Sequence, residues 1–212
     1  MVKLGAISIM TDYVIPCDAF ARLSNILRVI PAECDDHFRS IRIDNGVIVS
    51  CNRTVMAVEN IGAVAGIIHI IAHPGLIEQC RKEAPFASTL TITVNDALKF
   101  AVAKTTLGYV HPGNCCLWSD AATDFDRWRS IAMATKEPAK VNRGGMFWDT
   151  EHITNLAASS PSGRLVFEET IDAQGRPTVV RDINDYNWFG IFNPYSLADN
   201  YNPATLPTWM TA

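Results

Sequence analysis

The chain lacks the motifs by which most enzymes declare themselves. It has no P-loop, no Gly-x-Gly-x-x-Gly after a strand-like run, and no Gly-x-Ser-x-Gly elbow. It has neither Cys-x-x-Cys nor a Cys/His spacing suited to zinc. Long apolar runs are missing too. The longest, residues 61–72, is interrupted by Gly62, Gly66 and His69, so no membrane span is expected. The first residues lack the basic n-region and apolar h-region of a secretory signal, which implies a cytoplasmic location. Charge is scarce: 19% of the 212 residues are charged and the formal net charge is −4. Such a balance gives no general attraction for nucleic acid and leaves any such binding to local patches.

Cys17, Cys34, Cys51, Cys80, Cys115 and Cys116 are scattered. In a chain of this length without a secretory signal they read as reduced thiols, not as a disulfide framework. The vicinal pair Cys115-Cys116 reads as two buried or half-buried thiols. These absences together point to a protein that works by binding, without catalysis, metal or cofactor.

The sequence does carry apolar periodicity, with enough apolar residues to build one large core or two small ones. Residues 3–15 alternate as a strand does. Pro16 then opens a segment with Phe20, Leu23, Leu27 and Ile30 at spacings of three and four, which predicts a helix over 17–30 ended by Pro31. Asp44-Asn45-Gly46, flanked by Ile41, Ile43 and Val47, is a strong hairpin signal, because both turn positions tolerate positive φ. The pattern returns with a strand at 67–71 and a helix at 75–84 that turns Leu76, Ile77, Cys80 and Ala84 inward. Thr89 to Val94 alternates cleanly, and residues 97–110 supply one or two more strands.

A third copy follows. A strand is expected at 128–133, then a basic connection at 136–145, then a helix at 150–159 capped by Asp149 with Ile153, Leu156 and Ala157 inward. A second hairpin is expected around residues 172–175, and a short strand at 188–192. The fold class is therefore α+β, built of repeated strand–helix–hairpin units with helices on one side of antiparallel sheets.

Two polar groupings have the composition of a reactive site. His69 and His73 sit four apart, but the first lies in a strand-like run and Pro74 follows the second, so helical alignment on a metal is not expected. Arg181, Asp182 and Asp185 form a knot after a strand, where carboxylates more often cap turns than act as acid and base.

The stretch from Ile41 to Glu59, with Ser50-Cys51-Asn52-Arg53 inside its second arm, resembles a segment of DNA sliding clamps, the ring-shaped processivity factors of replicative polymerases. Clamps carry an Ala-Thr-Asp-Gly-His-Arg-Leu-Ala-like strand there; this chain has Cys51 at the usual Asp and no His after it. The resemblance implies a clamp-like fold, of a phage or plasmid protein. Residues 1–125 would then be one clamp-like domain of two helix-plus-hairpin units, and 126–212 a partial second domain with an irregular tail. It also implies a non-enzymatic replication accessory that holds duplex DNA through its backbone, binds protein partners and forms a homo-oligomer.

DNA-facing cations would come from Arg22 and Arg28 on the first helix, Arg81 and Lys82 on the second, and Lys136, Lys140 and Arg143 before the third. The apolar tail from Pro203 to Met210 would line a groove, enter a neighbour's, or pack on its own domain. Two other readings stand beside this one. A clamp-fold module of viral origin would capture a host replication or defence factor without encircling DNA. A small enzyme would assemble a dispersed site around Asp182, Asp185 and His152.

Overall fold

The computed structural model describes residues 10–28, 40–52, 54–71, 73–95, 100–111, 129, 146–147, 150–167, 178–192 and 195–196. In chain order these form β1 (Met10–Pro16), α1 (Cys17–Leu23), a 3-10 turn (Ser24–Arg28), β2 (Ser40–Asp44), β3 (Val47–Cys51), β4 (Val55–Asn60) and β5 (Ile67–Ile71). Next come α2 (Pro74–Glu83), a second 3-10 turn (Ala84–Phe86), β6 (Thr89–Asn95) and β7 (Phe100–Thr105). The remainder comprises β8 (Met146–Phe147), α3 (Thr150–Ser159), β9 (Leu165–Phe167), β10 (Thr178–Asp182), β11 (Trp188–Phe192) and β12 (Tyr195–Ser196).

The first two units exchange their leading strands. β1, which precedes α1, pairs with β6, which follows α2; β5, which precedes α2, pairs with β2, which follows α1. Every pairing among the described strands is antiparallel. The result is a three-stranded sheet β1-β6-β7 and a seven-stranded sheet β5-β2-β3-β4-β11-β10-β9. The second sheet runs without a break from the first unit into the strands that follow α3.

Register explains which residues face inward. Ile41 and Ile43 stand opposite Ile70 and Ile68, and Tyr13 and Ile15 stand opposite Ile92 and Leu90. All eight are buried in one apolar cluster with Phe20, Leu23 and Leu76 from the helices. A cross-strand pair contributes about 0.2–1 kcal/mol, whereas full burial of an isoleucine contributes about 1.5–3 kcal/mol. Burial therefore decides the register, since a one-residue slip would move each set to the opposite face. On that opposite face of the large sheet lies a smaller cluster of Val49, Met56, Val58 and Ile191. The outer face of the small sheet is polar at Thr89, Thr91 and Thr93, which are half-exposed.

The helix expected over 17–30 is split. After Leu23 the chain tightens into a 3-10 turn, and Ile26, not Leu27, continues the buried row of Phe20 and Leu23. A 3-10 turn repeats every three residues, so the inward row follows 20, 23, 26. At the switch the Ser24 hydroxyl donates to the Phe20 carbonyl at 2.7 Å, beside the Ser24 backbone N–H, a back-bonding that favours a bend in a helix. The Asn25 amide meanwhile reaches across to the Ala158 carbonyl at 2.9 Å.

The second helix and the strand Trp188–Phe192 lie where the periodicity places them. The arms β9 and β10 pair as the second hairpin requires, while its turn at 172–175 lies outside the described residues. Within 128–133, where the sequence predicts a strand, the described Arg129 is helical.

At the first hairpin Asn45 and Gly46 both have positive φ, 47° and 88°. A Cβ on Gly46 would collide with the Gly62 carbonyl oxygen, because the 61–66 loop folds over the turn. Gly46→Ala is expected to cost about 1–3 kcal/mol through overpacking and backbone strain, read from the urea midpoint of unfolding. Gly108, also at positive φ but with open space around it, is the control: its alanine variant is expected to lose less.

Candidate functional site

The three described helices form one layer, with α1 packed against both α2 and α3. Of the cations expected to meet DNA, Arg22, Arg81 and Lys82 have described side chains, and their environments differ sharply. α1 is nearly all buried; Asp18 is its exposed residue and Arg22 is partly covered. The Arg22 guanidinium donates to both Glu59 oxygens at 2.9 Å, to Asp18 Oδ2 at 3.0 Å and to the Ser159 carbonyl at 3.1 Å. Burial opposes its charge, yet the hydrogen bonds and charges of Glu59 and Asp18 together outweigh burial and hold its pKa above the usual value. Arg22 thus joins α1, β4 and the end of α3.

Arg28 ends the 3-10 turn, and its side chain is not among those described. Arg81 and Lys82 stand on the solvent side of α2, with side chains 47% and 65% exposed. Both pair with Glu78, at 3.5 and 3.4 Å. Exposed pairs of this kind are worth about 0–1 kcal/mol, so a phosphate can displace Glu78 at little cost. Lys136, Lys140 and Arg143 lie outside the described residues, as does the tail at 203–210.

Over the exposed positions of the described helices, Arg81 and Lys82 are set against Asp18, Glu78 and Glu151. The described helix layer therefore has no positive surplus of its own.

The Asp182 knot is a turn-capping device. Asp182 is buried and accepts from the Ser160 and Ser162 hydroxyls and from the backbone N–H groups of Ser162, Asn184 and Asp185. Burial alone would raise its pKa, but these donors outweigh burial and hold the carboxyl well below the usual range. A carboxylate so occupied has little basicity to offer a substrate. His152 is buried on α3, and among the described residues no hydrogen bond links it to Asp182 or Asp185.

His69 lies on β5, where its Nε2 is 3.1 Å from Arg42 Nη1, while His73 caps α2 by accepting from the Gly75 N–H at 3.2 Å. Their spacing of four spans a strand end and a cap, not one helical face. Among the described residues no group of three or more His, Cys, Asp or Glu is placed to hold a metal ion, and no helix is long and apolar enough to cross a membrane.

Sequence reasoning misses Glu59 as the partner of Arg22, and Ser160 and Ser162 as donors to Asp182. For Glu59 there is a signal: a charged residue at an inward position of an otherwise apolar strand demands a buried counter-charge.

No family model matches the sequence, and no curated protein matches it. The backbone, however, has the fold of sliding clamps. The DnaN sliding clamp of Pseudomonas aeruginosa bound to griselimycin matches with TM-score 0.57 at 8% identity, over 93% of this chain and 68% of that one. The DNA polymerase III subunit beta from the same organism matches with TM-score 0.57 at 10% identity, over 93% and 69%. The beta sliding clamp of C. crescentus matches with TM-score 0.55 at 10% identity, over 93% and 68%. At such identities the likeness is one of fold.

Two outcomes follow for these polar contacts. Arg22→Ala leaves Glu59 buried without its partner and is expected to cost about 3 kcal/mol, while a double variant Arg22→Met/Glu59→Leu costs less than the sum of the single changes. Asp182→Asn is expected to lose about 2 kcal/mol at pH 7. The folded carboxyl is depressed, so its stabilisation is full above the unfolded value of about 3.9 and is lost as pH falls from there through the folded value. Urea titrations at pH 7 and pH 3 should show the gap between wild type and Asp182→Asn narrowing in acid.

Proposed function

We propose that this chain is a clamp-type scaffold that acts by binding, without catalysis, and that its helix layer turns toward the backbone of duplex DNA. The observation that carries the proposal is the exchange of leading strands, which lays α1 and α2 side by side over antiparallel sheets in the sliding-clamp fold. In this reading residues 1–125 make one clamp-like domain and 126–212 part of a second. The three described helices side by side cover about 30 Å, well short of the perimeter of a duplex, so encirclement calls for more helices than these, from the rest of the chain or from further copies. A homo-oligomer that serves replication by tethering protein partners is the corresponding assembly.

Arg81 and Lys82 are the phosphate-contacting groups among the described side chains, with Arg28, Lys136, Lys140 and Arg143 adding to them. Arg22 supports that layer from beneath and contributes no free charge to it.

A second reading is favoured by one observation: the exposed charges of the described helices show no positive surplus. In that reading the clamp fold serves as a protein-binding module that does not hold DNA.

Salt dependence separates the two. For a DNA-holding clamp, log K falls linearly with log[salt], and Arg81→Ala/Lys82→Ala flattens the slope by about 2, near 0.9 for each phosphate the variant no longer neutralises. Fluorescence anisotropy on a mixed-sequence duplex measures it. Absence of association at low salt, from a protein of unchanged circular dichroism, would leave the second reading.

A further inference from the structure

The outward residues of α2 fall in one stripe. Leu76, Cys80 and Glu83 are buried at spacings of four and three, while Glu78, Arg81, Lys82, Pro85 and Phe86 are exposed. The 3-10 turn Ala84–Phe86 follows α2 directly and carries the stripe one turn further. It ends in Phe86, which is 71% exposed. Among the described residues, no other large apolar side chain of the helices or their 3-10 turns is exposed.

The ring stands on a fixed support. Pro85 sets its own φ. Ala87 turns the chain in the left-handed region, at φ 51° and ψ 35°, with its N–H on the Ala84 carbonyl at 3.1 Å. Ser88 is buried: its hydroxyl donates to the Glu83 carbonyl at 2.9 Å, and its carbonyl accepts from the Cys17 N–H at 3.0 Å. A left-handed alanine is strained, and a phenylalanine left in water forgoes the gain of burial. Both costs fall on one short turn that holds a single ring in solvent.

Building on the reading in which the helix layer faces DNA, we propose that Phe86 is a stacking platform for an unpaired base. The C-terminal end of α2 would thereby hold single-stranded DNA where it leaves the duplex. Such strands are held by an aromatic face for the base and by cations for the phosphates. Phe86 supplies the first; Arg81 and Lys82, about one turn earlier on the same stripe, supply the second. The stripe's one carboxylate, Glu78, pairs with both cations only through exposed contacts of 3.5 and 3.4 Å, which a phosphate displaces. Paired bases are stacked on one another and offer no face to a ring, so the ring selects an unpaired one. A protein partner calls instead for several apolar anchors clustered together, whereas the stripe offers one ring beside a proline and charges.

The test is fluorescence anisotropy of the full chain on a mixed-sequence duplex, either blunt or carrying a short single-stranded overhang. The overhang DNA should bind more tightly than the blunt one. Phe86→Ala should lower affinity for the overhang DNA about tenfold, and Phe86→Tyr should restore it. The salt slope should survive Phe86→Ala, which removes no cation, and flatten with Arg81→Ala/Lys82→Ala. A fluorescent adenine analogue placed in the overhang should be quenched by the wild type and not by Phe86→Ala. The ring is exposed, so the alanine variant should keep the urea midpoint of unfolding. Equal wild-type affinity for blunt and overhang DNA, or an unquenched analogue, would overturn the stacking role and leave the DNA-facing layer standing. Failure of both DNAs to bind at low salt would overturn the layer's role and the stacking role with it.

Discussion

One guanidinium is shared by three parts of the molecule. Arg22 leaves α1, grips both oxygens of Glu59 on β4 and reaches the last carbonyl of α3. Glu59 stands directly opposite Trp188, on the seam where the first unit's sheet meets the strands that follow α3. A buried cation here costs several kcal/mol unless every donor finds an acceptor, so the three elements must arrive in one relative placement. The Asn25 amide on the Ala158 carbonyl adds a neutral tie at the neighbouring residue of α3, and the Asn52 amide on the Ile26 carbonyl pins the 3-10 turn to the sheet at 2.9 Å. The helix layer keeps its form because these polar groups point inward.

That arrangement constrains function. An arginine committed to holding the scaffold is not available to a phosphate, and the described cations left on the solvent side of the helices are those of α2. Electrostatic attraction in the proposed role then rests on few groups, so DNA contact would be weak per chain and would depend on assembly. The polar ties fix how the helices are placed, which the proposed scaffold role requires.

Much of this is legible in the sequence, and what is not has physical causes. Asn45-Gly46 announces its hairpin because few other dipeptides accept two positive φ values, and the structure has both. The alternation at 89–94 gives β6 because its outer face is solvated at the threonines. Periodicity carries the helix after Pro16 too far, because it cannot see Ser24 turning back on the Phe20 carbonyl. The fate of Arg22 is hidden for a related reason: residues 22 and 59 are neighbours only after β4 has been laid against α1. Glu83 falls among the polar residues of α2, yet it is buried on hydrogen bonds from Gln79 and Thr105. The Asp182 knot caps its turn as the sequence predicts, since Asp and Asn beside a strand end most often bond their own backbone.

The exchange of leading strands has a consequence during synthesis. β1 leaves the ribosome long before Thr89–Asn95, the segment that completes its pairing, and at ordinary elongation rates the delay is several seconds. Through that interval Tyr13 and Ile15 have no sheet to join, while β2 gains its partner β5 before β6 is made. The small sheet can therefore close only after the second helix and its following strand emerge, and the large sheet only after Trp188–Phe192 has followed.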